Sequence, residues 1–211
     1  WLPPHISYCL SHNVSNEKLS YNKDLKGFTS DFPINILTIG ALRDLESNIY
    51  LIKKLGNDNR FVMTFSGKGP ATLQTHLFVR KNSVRNVILL GGYNKNDEDS
   101  IICKTDMMNV LLSDDINSRT LMANRFYLSV LFRKPMIVSA NSETAFYVNK
   151  FNLGIVIAPK DDIKMKILDF WNHFDYIKYN AGCNAFIKQV KNDIILFENR
   201  IFYLLKEYVN I

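Results

Sequence analysis

The sequence predicts an α/β fold: a doubly wound parallel sheet of about six strands, helices on both faces, and further helices after the last strand. Three observations lead there. From Ile34 onward, short β-rich apolar runs alternate with segments of helical period, without a long break. The strand candidates are continuously apolar rather than alternating, as in a sheet covered on both faces. After Pro159 the pattern becomes entirely helical.

In chain order, residues 6–10 could form a strand, whereas 11–31 are polar, rich in Asn, Ser and Lys, and read as a connector. The expected organisation is a connector over 1–31 and one domain over 32–211. Strands are expected at 34–39, 60–65, 86–90, 109–113, 136–139 and 154–157, each too short and too apolar for an exposed helix. Between them, helices are expected at 47–55, 71–81, 100–108, 125–132 and 143–150. Pro70 suits a first helical turn, and Ser142 followed by Glu143 offers a cap with a carboxylate near the positive end of the dipole. Beyond Pro159, Ile163, Ile167 and Phe170 form one apolar stripe, and Phe186, Val190, Ile194, Phe197, Ile201 and Leu205 a longer one.

Composition narrows the function classes. With 47% hydrophobic and 22% charged residues, 211 residues can bury a core, which excludes a disordered chain. No apolar run approaches the roughly 18 residues of a membrane span. The 26 Lys and Arg against 20 Asp and Glu give +6, which favours anionic partners: phosphates, nucleic acid or an acidic membrane face. Cys9, Cys103 and Cys183 show no CxxC spacing, so reduced thiols in the cytoplasm are expected and a zinc site is not. Trp1 begins the chain and no signal peptide follows, so it is expected to be a fragment of a longer protein.

In such a sheet, ligands bind beyond the carboxyl ends of the strands, where loops and helix N-termini present free N–H groups. Three of these loops carry glycine beside a cation: Gly40 to Asp44 with Arg43, Gly67-Lys68-Gly69, and Gly91-Gly92-Tyr93-Asn94-Lys95. Glycine lets the backbone approach a diphosphate and the cations supply charge; each glycine also suits a tight strand-to-helix turn. Gly67-Lys68-Gly69 is neither a Walker A loop nor a dinucleotide fingerprint. His5, His12, His76 and His173 lack metal-ligand spacing and read as surface or satisfied histidines. Asp97-Glu98-Asp99 reads as a solvated loop and Asp114-Asp115 as a turn at a strand end. The basic residues near the C-terminus alternate with aromatics at helical spacing, which suits a core better than a nucleic-acid face.

An ordered set of segments carries a resemblance: Asn124-Arg125-Phe126-Tyr127, Lys134-Pro135-Met136-Ile137-Val138, Glu143, and Asn152-Leu153-Gly154-Ile155-Val156. Together they resemble the C-terminal, nucleotide-sugar-binding half of GT-B glycosyltransferases of bacterial surface-polysaccharide assembly. Upstream, Ile36 to Gly40 looks like the first strand of that Rossmann-like domain, and Val87 to Tyr93 like the strand and turn that meet the nucleotide base. The resemblance implies a donor domain for a UDP- or GDP-sugar, inactive without an N-terminal acceptor domain. It implies no metal, because cations can hold the diphosphate. It places Gly40, Arg43, Asn124 and Arg125 at the phosphates, Gly91, Gly92 and Tyr93 near the base, and Ser142 and Glu143 near the sugar or phosphates, the last two also serving as a helix cap. Thr120 and Leu128 stand where many members carry the two glutamates of an E-x7-E motif, and Asp44 to Asn48 holds no cation where a lysine is often found. The implied location is cytoplasmic, at the inner membrane face. The competing readings are a non-catalytic interaction module on the same scaffold and a nucleic-acid-binding module.

Overall fold

The computed structural model describes residues 9–14, 19 and 31–209. Six parallel strands form one sheet: β1 (Ile34–Ile39), β2 (Phe61–Ser66), β3 (Val87–Gly91), β4 (Met107–Val110), β5 (Met136–Ser139) and β6 (Gly154–Ile157). Their order is β3-β2-β1-β4-β5-β6, so the sheet grows outward in both directions from the β1/β4 junction. That junction is where neighbouring loops diverge to opposite faces and leave a crevice.

One face is covered by α1 (Leu45–Leu55), α2 (Thr72–Lys81) and α7 (Ile163–Asn172), which enclose Leu51, Ile52, Phe61, Met63, Ile167 and Trp171. Against the other face pack α3 (Glu98–Cys103), α5 (Asn124–Leu131), α6 (Glu143–Phe151) and the first half of α8 (Tyr176–Val209). A short α4 (Ile116–Thr120) lies in the loop after β4. Phe186 of α8 anchors the second face: its ring centroid is 5.4 Å from Phe126, 5.5 Å from Tyr147 and 5.6 Å from Phe151, all edge-on.

The predicted elements recur, with instructive differences. The helix expected over 100–108 ends at Cys103, and Met107 and Met108 instead begin β4, pairing with Ile36 and Leu37. Methionine suits either state, and the tertiary pairing decides: Asp106 accepts from the Asn35 backbone N–H at 2.8 Å and from its side-chain amide at 2.7 Å, pinning the strand start. Asp97-Glu98-Asp99 is not a solvated loop. Glu98 is buried, accepts from the Tyr93 hydroxyl at 3.3 Å and pairs with Lys95. Asp115 caps α4. The long apolar stripe of α8 is buried at Phe186 and Val190 but exposed at Ile201 and Leu205, so only its first half packs on the sheet. No described helix is long and apolar enough to cross a membrane.

Most of the expected connector, and residues 6–8 of the expected first strand, lie outside the described residues. Residues 9 and 10 are not in a strand. His12 is a satisfied histidine: Nδ1 lies 3.1 Å from the Tyr127 hydroxyl and Nε2 3.0 Å from Asp193 Oδ2, so it fastens the segment to α5 and α8.

Truncating Phe186 would empty the centre of this ring cluster. Phe186→Ala is expected to cost about 3–5 kcal/mol, read as a lowered midpoint in urea denaturation followed by circular dichroism.

Candidate functional site

The ends of β1, β2 and β3 are tied to one another by backbone alone. The Gly40 N–H donates to the Ser66 carbonyl at 3.0 Å, and the Gly67 N–H to the Gly91 carbonyl at 2.6 Å. One loop further out, the Leu42 N–H donates to the Lys68 carbonyl and the Ala71 N–H to the Leu42 carbonyl. Glycine is obligatory at 67: its φ is +145°, and a Cβ there would stand 1.7 Å from the Gly40 carbonyl oxygen. Gly40 has φ +101°, but a Cβ there would meet nothing within 4 Å, because that side faces open space.

That space belongs to two adjacent cavities that share Gly40, Ala41 and Tyr93 as lining residues. The inner one, of about 330 Å³, occupies the β1/β4 crevice, between the loop that carries Arg43 and the start of α5 at Asn124 and Arg125. The outer one, of about 640 Å³, lies over the ends of β2 and β3 and is bounded by Ser66, Lys68, Leu90, Tyr93 and Asp97.

The inner cavity has an excess of hydrogen-bond donors. Asn48 is 3% exposed, yet its Nδ2 has no hydrogen-bond partner among the described residues. Arg125 donates from Nη2 to the Leu111 carbonyl at 3.2 Å, while its buried Nε has no hydrogen-bond partner there. Burial pulls the Arg125 pKa down to about 10, against the opposing pull of Asp44, so the guanidinium remains charged at neutral pH. Asp44 is the one carboxylate lining the cavity among the described residues, and it is occupied: it accepts from the backbone N–H of Ser47 and of Ser113. Ala123 starts α5 without a side-chain cap; the Phe126 N–H donates to the Ala123 carbonyl at 2.9 Å, and the N–H groups of Asn124 and Arg125, both lining the cavity, are left uncapped. Arg43 is exposed at the rim. The unmatched Asn48 Nδ2, the charged and partly unmatched Arg125 guanidinium and an uncapped helix start give the cavity a surplus of donors of the kind that suits an anion.

The outer cavity is of mixed character. Ser66 is fully buried and its Oγ has no partner among the described residues. Lys68 and Asp97 are exposed and form no ion pair there. Burial and the neighbouring Glu98 raise the Tyr93 pKa, so its phenol stays protonated and donates to Glu98.

Of the residues singled out from the sequence, Gly40, Arg43, Tyr93, Asn124 and Arg125 line the inner cavity, and Gly40, Gly92 and Tyr93 the outer. Gly91 stands behind them, engaged through its carbonyl. Ser142 and Glu143 line neither. Ser142 caps α6, accepting from the Ala145 N–H at 3.1 Å, and Glu143 is exposed in the first turn. Leu128, in one of the E-x7-E places, is a buried wall of the inner cavity; Thr120, in the other, is exposed on α4. Asn48 was not singled out, although the sequence holds its signal: it is the polar member of the i, i+3, i+4, i+7 stripe Asn48, Leu51, Ile52, Leu55, all buried. Ser66 left no such signal, since a serine ending a strand is unremarkable until its neighbours are known.

No family model and no curated protein matches this sequence. Solved structures do match in fold. The glycosyltransferase WaaG, involved in lipopolysaccharide biosynthesis, superposes with a TM-score of 0.52 at 14% identity, over 83% of this chain and 45% of its own. HepE from Anabaena, solved in complex with UDP and glucose, gives 0.58 at 13%, over 92% and 53%. The C-terminal domain of the group 1 glycosyltransferase LpcC from Francisella tularensis gives 0.51 at 13%, over 75% and 85%. The chain spans about half the length of the first two and most of the isolated C-terminal domain. Its fold is that of the C-terminal half of a GT-B glycosyltransferase, as the sequence predicts.

The backbone locking of the strand ends is open to a direct comparison. Gly67→Ala is expected to cost about 3 kcal/mol or more, from a backbone clash on top of φ strain, and Gly40→Ala only about 1–2 kcal/mol, from strain alone. Urea denaturation of the two variants side by side measures both.

Proposed function

We propose that this chain is the donor-binding domain of a glycosyltransferase, holding a nucleotide diphosphate sugar along the two adjacent cavities. The transfer served would be of a glycosyl group to a saccharide or lipid-linked acceptor in bacterial surface-polysaccharide assembly. The observation that carries the reading is the pair of buried, unmatched donors, Asn48 Nδ2 and Arg125 Nε, on two residues that line one small cavity whose only carboxylate among the described residues is already engaged. A ligand there must bring acceptor atoms and negative charge, and a diphosphate does both.

The mechanism follows from where charge develops. As the glycosyl group leaves through an oxocarbenium-like state, negative charge grows on the diphosphate. Donors fixed before the reaction then stabilise the transition state more than the ground state. Arg125, Arg43, Asn48 and the α5 N-terminus would supply that field without a metal ion, and Gly40 would let the phosphates approach the backbone. The outer cavity would take the nucleoside. HepE, of the same fold, is solved with UDP and glucose, which supports a nucleotide sugar as the kind of ligand. An acceptor domain would complete the enzyme, and the exposed apolar side of α8 beyond residue 195 offers a surface for it to cover. Contact with the inner membrane face through the net positive charge belongs to the same proposal.

Isothermal titration of the chain with UDP, GDP, CMP and their common sugar conjugates tests it. At least one nucleotide diphosphate is expected to bind at micromolar to millimolar affinity. Losing a hydrogen bond to a charged group should weaken it roughly tenfold or more in Arg125→Ala and a few-fold in Asn48→Ala. Absence of binding by every nucleotide, with the variants and parent equally folded, would favour an interaction module instead.

A further inference from the structure

Resting on the donor-domain reading, we propose that the outer cavity selects guanine, with Asp97 as the residue that reads the base. Two free charges of opposite sign border this cavity. Asp97 ends the turn immediately before α3; it makes no side-chain cap for that helix and no ion pair among the described residues. Lys68 comes from the loop after β2, and its stem runs across the loop after β3: a Cβ on Gly92 would stand 2.6 Å from Lys68 Cε. The buried, unpartnered Ser66 Oγ lies at the floor. Leu90, 51% exposed although it lies within β3, and Ile101 give the cavity apolar walls.

A carboxylate accepts only, and an ammonium donates only, so a base between them must offer donors on one side and acceptors on the other. Guanine alone among the common bases has two adjacent donors, N1–H and the exocyclic amine, which match the two oxygens of a carboxylate, and beside them the O6 and N7 acceptors that suit a lysine. Uracil has one N–H between two carbonyl oxygens that a carboxylate would repel. In adenine and cytosine the single amine neighbours a ring-nitrogen lone pair, equally repelled. The cavity, at about 640 Å³, has room for a purine nucleoside between Leu90 and Ile101.

The test is titration calorimetry of the full chain with GDP, IDP, ADP, UDP and CDP, repeated on Asp97→Asn, an exposed substitution that leaves the core untouched. GDP is expected to bind roughly tenfold or more tightly than UDP, ADP or CDP, with IDP, which lacks the 2-amine, between them. Asp97→Asn should lower GDP affinity about tenfold, raise UDP affinity by relieving the repulsion of its carbonyl oxygens, and raise affinity for xanthosine diphosphate, whose 2-carbonyl accepts from the new amide. Equal affinity for all five, tighter UDP or ADP, or an equal loss for every nucleotide in Asp97→Asn would overturn guanine selection while leaving the diphosphate site standing. No binding of any diphosphate would overturn both.

Discussion

Everything about the site depends on how closely three strand ends approach one another. The Gly67 backbone sits so near Gly40 that no side chain fits between them, and successive backbone hydrogen bonds run from Gly40 to Ser66 and from Gly67 to Gly91. Hydrogen bonds of this kind are individually modest, but a register held by the absence of Cβ atoms cannot slip without a clash. The two cavities thereby meet at Gly40 and Tyr93, which line both. The glycines act in two ways: Gly67 is needed for the strands to meet, and Gly40 leaves room above them.

Onto that frame the two helix starts at the crevice are treated unequally. Asp44 caps α1 and also accepts from Ser113, fastening the loop after β1 to the loop after β4. This consumes both of its oxygens locally and leaves its charge to moderate Arg125. At α5 no side chain caps the first turn. The crevice therefore keeps one neutralised helix end and one open end, with the buried arginine beside the open one. An anion entering it exchanges water for preformed donors, and the cost of desolvating Arg125 and Asn48 is already met by folding.

How much of this was legible in the sequence follows from which interactions are local. Strand and helix positions were, because continuous apolar runs and helical stripes are properties of neighbouring residues. So were the glycine loops and the cations beside them. The start of β4 was not, since Met107 and Met108 obey either period and only Asp106 reaching back to Asn35 decides. Glu98 looked solvated beside two other acids, but Tyr93 and Lys95 hold it in a buried position. Within the site, Arg43 and Arg125 were visible as cations after strands. The unmatched donors of Asn48 and Ser66 are statements about missing partners, which only the assembled structure can make. Ser142 and Glu143 show the opposite limit: the capping pattern is local and correct, while its place relative to the cavities is set by the sheet order.

The balance of charge in the crevice also bears on how the chemistry would be divided. A group transfer needs stabilisation of the departing diphosphate and removal of a proton from the acceptor. On the donor-domain reading the inner cavity would serve the first, with Arg125, Arg43, Asn48 and the α5 N-terminus. For the second it offers little: both oxygens of Asp44 are held by backbone donors, which leaves it no free path to an acceptor hydroxyl. Asp97, the free carboxylate of the outer cavity, stands at the base end of the proposed ligand, away from the sugar. On the donor-domain reading, then, this chain specialises in the leaving group, and proton transfer falls to residues from an acceptor domain closing over the crevice.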